Sequence, residues 1–364
     1  MPVTPTPAVP PFGVALSARV AQVLTPAVLA VAHRRLQRKA GVISAWLVVS
    51  YAAVLTVSST VSGVVACVSL ALALAGVGFN IGHDANHNAL FSTGGQRRLT
   101  TANRLAGLAM NVIGADAGRW LSGHVRRHHS APNVAHHDDD IDLAPFGRLA
   151  PTQGHRPWYR FQHLYLWPLY TVTAAAVFVT DMTSTVGECV RGDDQGRRPS
   201  AATVAKMAAS KLLFLAVMVG VPASVHTSAS VVTGVIGTAA FAGLLLGIVF
   251  QLAHTVEGAA FRDVDDPEPS RWHEWQVRAT VDFCHGPGPV ARAVTWFIGG
   301  LNYQVEHHLF PSVPHTAYPA LVPAVADVCA EHGLVHQVQP TLRAAVASHH
   351  RHLRAMGRPP TRRA

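Results

Sequence analysis

Four long apolar stretches, separated by polar residues, are the main pattern along the chain. They run from Val42 to about Ser58, from Val61 to about Ile81, from about Val204 to Val225 and from about Val231 to Ala253. A helix that crosses a bilayer needs roughly 17–25 predominantly apolar residues, so each stretch predicts a membrane span. Short uncharged turns near residues 58–60 and 226–228 join the spans in pairs. The pattern predicts an all-α integral membrane protein with four transmembrane helices in two hairpins.

Two weaker apolar stretches complicate the count of spans. Ala102–Gly114 is too short to cross a bilayer, and Leu164–Thr180 is marginal and contains Pro168. A crossing by the second stretch would move everything after it to the opposite side of the membrane. We therefore interpret both stretches as helices that lie in the membrane interface.

Composition and charge support a membrane location. Hydrophobic residues make up 49% of the chain and charged residues only 13%, against roughly 25% charged in a soluble domain. The net charge is +9, and pairs such as Arg97-Arg98 and Arg126-Arg127 lie on the side away from the short turns. The positive-inside rule makes that side cytoplasmic. The basic residues therefore indicate membrane orientation, and we expect no nucleic-acid partner.

The sequence predicts one domain with extensions at both ends. The start, residues 1–30, is rich in proline and is expected to be a flexible arm. Residues 31–340 are expected to form the membrane domain. Residues 341–364 are expected to form a basic tail, in which His349, His350 and His352 are exposed to solvent.

Three histidine clusters are the candidate chemistry of the chain. They are His83-Asp-Ala-Asn-His87, His124-Val-Arg-Arg-His128-His129 and Gln304-Val-Glu-His307-His308. Histidines at i and i+4 share one face of a helix, and neutral imidazole binds first-row transition metals. The first cluster follows the second span directly, and His254 follows the fourth. We predict that all of them converge on a metal site at the cytoplasmic membrane surface.

The number and type of these residues limit which metals could bind and how many. Eight histidines exceed what one ion of four to six ligands needs, so two metals are implied, and ligation without thiolate suits iron, copper or zinc. None of the six glutamates has histidine three residues later, which argues against a soluble carboxylate di-iron site. The zinc-protease motif fails because Val277 replaces its second histidine. We interpret the clusters as a histidine-rich di-iron site.

The three clusters carry a family resemblance. Gly82–His87, His124–His129 and Asn302–Pro311 resemble the three histidine boxes of the membrane fatty acid desaturases. Gln304, which opens the third box, is similar to the glutamine of a subgroup with front-end desaturases and bacterial linoleoyl-CoA-type desaturases. The resemblance extends over roughly residues 40–325.

The resemblance implies a fold and a ligand set. The implied fold has four spans and a cytoplasmic helical cap that holds two irons. The positions that match the ligands of the family are His83, His87, His124, His128, His129, His307 and His308, with His254 matching a ligand outside the boxes. Gln304 stands where many relatives have histidine, and it is a weak ligand, a hydrogen-bond partner of a ligand, or neither.

Other polar residues near the boxes are candidates for supporting roles. Asp84 could accept a hydrogen bond from a ligand imidazole or be an exposed loop residue. Asp140, in the aspartate-rich run 138–142, and His315 are expected to contact ligands rather than the metals. Trp272–Thr280 resembles a segment of the cap that walls the acyl channel or anchors the protein at the interface.

The activity implied by the resemblance is O2-dependent desaturation of a fatty acyl chain, which produces a cis double bond. The acyl group could be carried on CoA, on a lipid or on a carrier protein, and the position of the double bond is open. The sequence contains no His-Pro-Gly-Gly haem motif, so we expect a separate electron donor such as a ferredoxin or a flavoprotein reductase. The expected location is a bacterial cell membrane, with the termini and the site in the cytoplasm.

Two rival functions use the same histidines. A hydroxylase of the carotenoid or sphingolipid type would have the same di-iron scaffold but a hydroxylated product. A histidine-rich metal transporter would place its ligands near the middle of the spans, whereas these clusters lie just outside them.

Overall fold

The computed structural model describes residues 10–91, 99–193, 195–266 and 271–360. The basic pair Arg97-Arg98 and the first prolines lie outside the described residues. The α-helices are α1 (Phe12–Val23), α2 (Pro26–Thr56), α3 (Thr60–Val77), α4 (His83–Asn86), α5 (Thr101–Gly107), α6 (Ala109–Val112), α7 (Ala117–Trp120), α8 (Gln162–Leu169), α9 (Thr173–Arg191), α10 (Ala201–Leu215), α11 (Val221–Ala223), α12 (Ser228–His254), α13 (Trp272–Ala279), α14 (Pro289–Phe297), α15 (Gln304–Leu309), α16 (Tyr318–Glu331) and α17 (Leu342–Met356).

Shorter elements connect or extend these helices. The π-helical turns are Gly78–Gly82, Leu121–Arg127 and Ala216–Gly220, and the 3₁₀ turns are His128–Ser130, Asp139–Ile141, Pro157–Phe161, Tyr170–Val172 and His315–Ala317. The strands are β1 (Val134–Ala135), β2 (Arg262–Asp263), β3 (Asp282–Phe283) and β4 (Val338–Gln339). Strand β1 pairs in parallel with β2, and β3 pairs in parallel with β4.

Two helical hairpins form the apolar part of the molecule. Helix α2 packs along α3, and α10 with α11 leads into α12. The side chains of Ser59 and Thr227 accept backbone N–H groups at the starts of α3 and α12, so each hairpin turn is also a helix N-cap. His226 Nε2 donates to the carbonyl of Val54 at 2.7 Å. The two turns therefore lie together at one end of the hairpins.

Helix α2 begins well before the apolar stretch that predicts it. Thr25 accepts the backbone N–H of Val28, and Pro26 occupies the first helical position, which is its favoured place. The helix therefore has 31 residues, and its first turns are the polar segment before Val42. The hydropathy pattern predicts the apolar part of the span, whereas the capping residues decide where the helix starts.

Among the described residues, five helices are long and apolar enough to cross a membrane. They are Pro26–Thr56, Thr60–Asn86, Pro157–Arg191, Ala201–Ala223 and Ser228–His254. Four of them contain the predicted spans, and Pro157–Arg191 contains the stretch interpreted as interfacial. The chain is therefore a mostly helical membrane protein.

Helix Pro157–Arg191 packs against both α12 and α10. A Cβ atom at Gly243 of α12 would lie 2.6 Å from the carbonyl oxygen of Thr171, so glycine permits this close approach. Further along the same helix, Asp181 pairs with Lys211 of α10 at 2.7 Å. Phe178 and Thr185, on either side of Asp181, contact Phe214 and Met207 of α10. The helix is therefore held by two of the long apolar helices.

The N-terminal segment differs from the expected flexible arm of residues 1–30. Residues 12–23 form helix α1, and Phe12, Leu16 and Val20 are buried against Tyr318 and other residues of α16. The prolines of the segment fit this structure because Pro11 precedes the helix and Pro26 starts the next one. The apolar residues at i, i+4 and i+8 outweigh the proline-rich composition.

The C-terminal segment also differs from the expected exposed tail. His349 and His352 of α17 are buried, and only His350 is partly accessible. His349 accepts the Tyr170 hydroxyl at 2.8 Å and donates to the carbonyl of Thr255 at 2.7 Å, while Nε2 of His352 donates to the carbonyl of Leu149 at 2.7 Å. The expectation of solvated histidines is therefore wrong for these two, because both rings are buried and hydrogen-bonded within the fold.

Candidate metal centre

The first histidine cluster lies at the end of α3, where the helix loosens into a π-helical turn. Gly78–Gly82 forms this turn, and His83 and His87 follow it directly. π-Helical turns are rare and occur often at functional sites. The ring of His83 lies 4.6 Å from that of His87 and 4.6 Å from that of His307. Donor atoms of His83, His87, His124 and His307 lie within 4.8 Å of one another, and we call these four residues group A.

The second cluster is divided between two sets of histidines. His124 lies in the π-helical turn Leu121–Arg127, and His128 starts a 3₁₀ turn. Their rings stack 5.0 Å apart, but His124 belongs to group A whereas His128 faces His254 and His308. Donor atoms of His124 and His128 also lie within 4.8 Å of each other and of a carboxylate oxygen of Asp140. The two rings therefore share one face, as the spacing predicts, and each also joins a different set of histidines.

The second set contains histidines from three different elements. Donor atoms of His128, His254 and His308 lie within 4.8 Å of one another, and we call these three residues group B. His254 is the last residue of α12, which brings the fourth apolar helix to the site. His129 lies between the two groups, with its Nε2 3.1 Å from Nε2 of His307 and its ring stacked 4.2 Å from that of His308.

The inward nitrogens of these histidines lack hydrogen-bond partners. They are Nε2 of His83, His87, His124, His128 and His308. All eight histidines are nearly inaccessible to solvent. Buried polar atoms normally have partners, so a convergent set without them indicates a missing ligand. The donor set of neutral imidazoles fits a transition metal in each group.

The outward nitrogens, in contrast, are hydrogen-bonded. His128 Nδ1 donates to Asp138 at 2.9 Å, and His124 Nδ1 donates to Asp140 at 3.1 Å. His308 Nδ1 donates to Oε1 of Gln276 at 2.8 Å. Such contacts fix the tautomer of a metal-binding imidazole and raise its basicity. The rings are therefore oriented with their free nitrogens toward the group centres.

A longer buried chain of contacts supports His83. Asp84 accepts from His83 Nδ1 at 3.3 Å and from His315 Nδ1 at 2.7 Å. Lys39 of α2 lies 2.9 Å from Nε2 of His315. The first hairpin, the first histidine cluster and the segment after the third cluster are thus connected by one polar network. Asp84 is buried, which excludes the exposed loop residue that the sequence left open.

Burial lowers the pKa of a histidine, whereas a neighbouring carboxylate raises it. Burial lowers the pKa of His129 and His308 well below the usual value, and nearby imidazoles lower it further. Burial would also lower the pKa of His128, but the charges of Asp138 and Asp140 overcome it and raise that pKa to about 9. Most of the imidazoles are therefore neutral and available as ligands at pH 7. The carboxylates stabilise positive charge at His128, whether a proton or a metal supplies it.

The model of the family described as fatty acid desaturase matches residues 58–340, which include every histidine of both groups. The chain belongs to the fatty acid desaturase family. Two relatives named sn-1 linoleoyl-lipid 6-desaturase support this. The one from Synechocystis sp. is 35% identical over 296 residues, covering 80% of each chain. The one from Arthrospira platensis is 31% identical over 321 residues, covering 87% of this chain and 84% of its own.

A third relative comes from a different group of organisms. The acyl-lipid (8-3)-desaturase of Physcomitrium patens is 31% identical over 306 residues, which are 77% of this chain and 58% of that protein. Members of the family are oxidoreductases that desaturate fatty acyl chains, and this chain is a fatty acyl desaturase. The resemblance stated from the histidine boxes is thereby confirmed.

Three residues of the desaturase site were not singled out as site residues from the sequence. Asp138 bonds His128, Gln276 bonds His308, and Tyr318 Oη lies 3.1 Å from Nδ1 of His307. Asp138 belongs to the aspartate-rich run 138–142, so the sequence did mark this segment as a candidate. Gln276 lies in the segment Trp272–Thr280, where it also donates to the carbonyl of His129 at 3.2 Å. That segment therefore braces two histidine clusters, in addition to any contact with the acyl chain or the interface.

Gln304 lies against group B. Its side-chain nitrogen donates to Nε2 of His254 at 2.8 Å, and its Oε1 has no partner. Of the three roles that the sequence left open, the structure contains the hydrogen bond to a histidine of the site. The contact joins the start of α15 to the end of α12 and orients the His254 ring.

Proposed function

We propose that this desaturase uses two irons and O2 to introduce a cis double bond into a lipid-linked acyl chain. The observation that carries the proposal is the pair of buried imidazole groups with convergent, unpartnered nitrogens. Group A would hold one iron, and group B the other, with His129 facing both. Bound iron would supply the O2 chemistry that removes hydrogen from unactivated methylenes, which no side chain of ordinary pKa can do.

The chain itself would position the metals and exclude water. Asp138, Asp140 and Gln276 orient three of the imidazoles through their outer nitrogens. The burial of both groups keeps solvent away from reactive oxygen species. Electrons would come from a separate donor, such as a ferredoxin or a flavoprotein reductase. The basic cytoplasmic side would favour an acidic donor.

The contact between His128 and His254 supports a four-span topology with a cytoplasmic site. The rings of His128 and His254 lie 4.5 Å apart, so the chain between them ends on the side where it started. Helices α10–α11 and α12 account for one crossing in each direction. A third crossing by Pro157–Arg191 would separate the two histidines. We propose that this helix lies at the cytoplasmic face of a bacterial cell membrane, beneath a cap formed by the remaining helices.

The names of the relatives suggest the substrate. The two proteins from Synechocystis sp. and Arthrospira platensis are named for desaturation of a linoleoyl lipid at position 6, and the Physcomitrium patens protein is named for an acyl lipid. The lipid carrier is common to these names, whereas the position differs. We propose a linoleoyl group esterified to a lipid as the substrate and position 6 as the new double bond.

Expression in a host supplied with linoleate tests the proposal. Gas chromatography with mass spectrometry of the membrane lipids should show a triene with a new double bond at position 6, and only in the presence of O2. His307→Ala should abolish this product because it removes a donor of group A. His136→Ala is the matched control, since His136 is near the second cluster but mostly exposed.

Several outcomes would contradict this proposal. A triene formed without O2 would exclude the O2-dependent reaction, and a hydroxylated chain would favour the related hydroxylase. A triene that appears first in the acyl-CoA pool, and only later in lipid, would exclude a lipid-linked substrate. Wild-type product from His307→Ala would remove His307 from the metal site.

A further inference from the structure

A second cluster of metal-binding side chains lies on the other side of the third histidine box. Donor atoms of Asp282, Glu306 and His336 lie within 4.8 Å of one another, and His285 lies beside Asp282. We call these four residues the Asp282 cluster. Asp282 and Glu306 are inaccessible to solvent, and His336 and His285 are 8% and 17% exposed. The cluster shares no residue with groups A and B.

The donor atoms of the Asp282 cluster are buried and unpartnered. Oδ1 of Asp282 accepts the backbone N–H of Val305 at 2.9 Å, which leaves Oδ2 free. Neither Oε1 nor Oε2 of Glu306 has a hydrogen-bond partner, and the same is true of Nε2 of His336 and of His285. A buried carboxylate without a partner is costly, and here two carboxylates face the same point. A protonated His336, which is within ion-pair distance of both carboxylates, would supply one positive charge there, and a divalent cation would supply two.

The spacing of the donor atoms fits a tetrahedral cation better than direct hydrogen bonds. Nε2 of His336 lies 3.3 Å from Oδ2 of Asp282 and 3.3 Å from Oε1 of Glu306. Nε2 of His285 lies 3.4 Å from Oδ2 of Asp282 but does not converge with the other two donors. Zinc binds imidazole and carboxylate at about 2.0–2.2 Å, which places neighbouring tetrahedral ligands about 3.4 Å apart. A charge-assisted hydrogen bond would bring them to about 2.7–2.9 Å.

The charge of the cluster also favours a cation. Asp282 and Glu306 are both inaccessible to solvent, and one divalent cation would balance their two carboxylates.

We propose that Asp282, Glu306 and His336 bind one zinc ion, with a water as the fourth ligand that zinc normally has. The donors come from β3, from α15 and from the segment before β4. The ion would join these three segments, and α15 also carries His307 and His308. The site would therefore fix the position of the third histidine box.

The full-length protein, purified in detergent and loaded with iron, tests this site directly. It should retain one zinc per chain after incubation with Zn²⁺ and desalting, as measured by mass spectrometry of the metals. His336→Gln should lower the retained zinc at least about tenfold, which is the loss expected from removing a ligand, while the iron content stays unchanged. His332→Gln is the matched control, because His332 bonds only the carbonyls of Val328 and Pro10.

A second measurement covers the case in which the variant folds poorly. Zn²⁺ should raise the melting temperature of the wild-type protein, since an ion that binds only the folded state stabilises it, and should not raise that of His336→Gln. Wild-type protein that retains no zinc, or equal retention by wild type and His336→Gln, would overturn the proposal. Zinc retention does not depend on desaturase activity, so this result is independent of the proposed reaction.

Discussion

The two sides of helix α15 have different chemistry, although the helix has only six residues. His307 and His308 face groups A and B, where the inward donors are imidazoles and the carboxylates lie outside the groups. Glu306, between Val305 and His307 in the chain, faces the Asp282 cluster, where carboxylates are themselves the inward donors. Imidazole groups leave the positive charge of a bound metal uncompensated, whereas two carboxylates neutralise a divalent ion. One short helix can therefore contribute side chains to two different kinds of site, one lined by imidazoles and the other by carboxylates.

The substitution with the largest expected effect is His308→Ala, which should affect one side of α15 and not the other. Removing this donor of group B should reduce the desaturated product to background. Loss of a hydrogen-bond partner of a ligand lowers metal affinity or activity roughly 10–100-fold, and loss of the ligand itself should lower them further. Zinc retention by the Asp282 cluster should stay the same. In one preparation, the lipid product reports on group B and the zinc content reports on the Asp282 cluster. Loss of zinc together with the product would show that the two sites are not independent.

A smaller effect is expected from Asp138→Asn. The variant keeps the size of the side chain but removes the charge that orients and polarises His128. Iron affinity or product formation should fall about 10–100-fold. Asp139→Asn is the control, since Asp139 pairs with Arg127 at the surface and should leave both measurements near the wild-type values. Equal effects of the two substitutions would contradict the orienting role of Asp138.

The smallest effect is expected from Tyr318→Phe. Only the hydroxyl that lies 3.1 Å from His307 is lost, while the ring stays packed against α1. A neutral hydrogen bond contributes about 0.5–1.5 kcal/mol, so product formation should fall about two- to tenfold. Zinc retention should not change. Turnover equal to that of the wild type would show that His307 needs no outer partner, in contrast to His128.

The sequence predicted the parts of the fold that depend on local pattern. The apolar stretches gave the four hairpin helices, and the spacing of His83 and His87 gave a shared face because that segment is α-helical. The i, i+4 spacing of His124 and His128 also gave two rings that stack, but it did not reveal the π-helical turn that carries His124. Helix α1 was missed because a proline-rich composition hid the apolar repeat of Phe12 and Leu16.

Contacts between distant segments account for most of what the sequence could not show. Gln276 and Tyr318 are 32 and 11 residues away from the histidines that they contact. His336 and Glu306 are 30 residues apart, and neither forms a local metal motif with the other residues of the Asp282 cluster. Such pairs depend on how α13, α15 and α16 pack, which a single sequence does not encode in its spacing. His254 was found because it lies at the end of a predictable helix.

The proposed interfacial position of helix Pro157–Arg191 has a consequence for the membrane itself. It has 35 residues, so it extends about 50 Å, and at a width of about 10 Å it covers about 500 Å². In the proposed topology this area is taken from the cytoplasmic leaflet alone. The protein would therefore have a larger footprint in one leaflet than in the other. It would pack best where the membrane curves to give that leaflet more area.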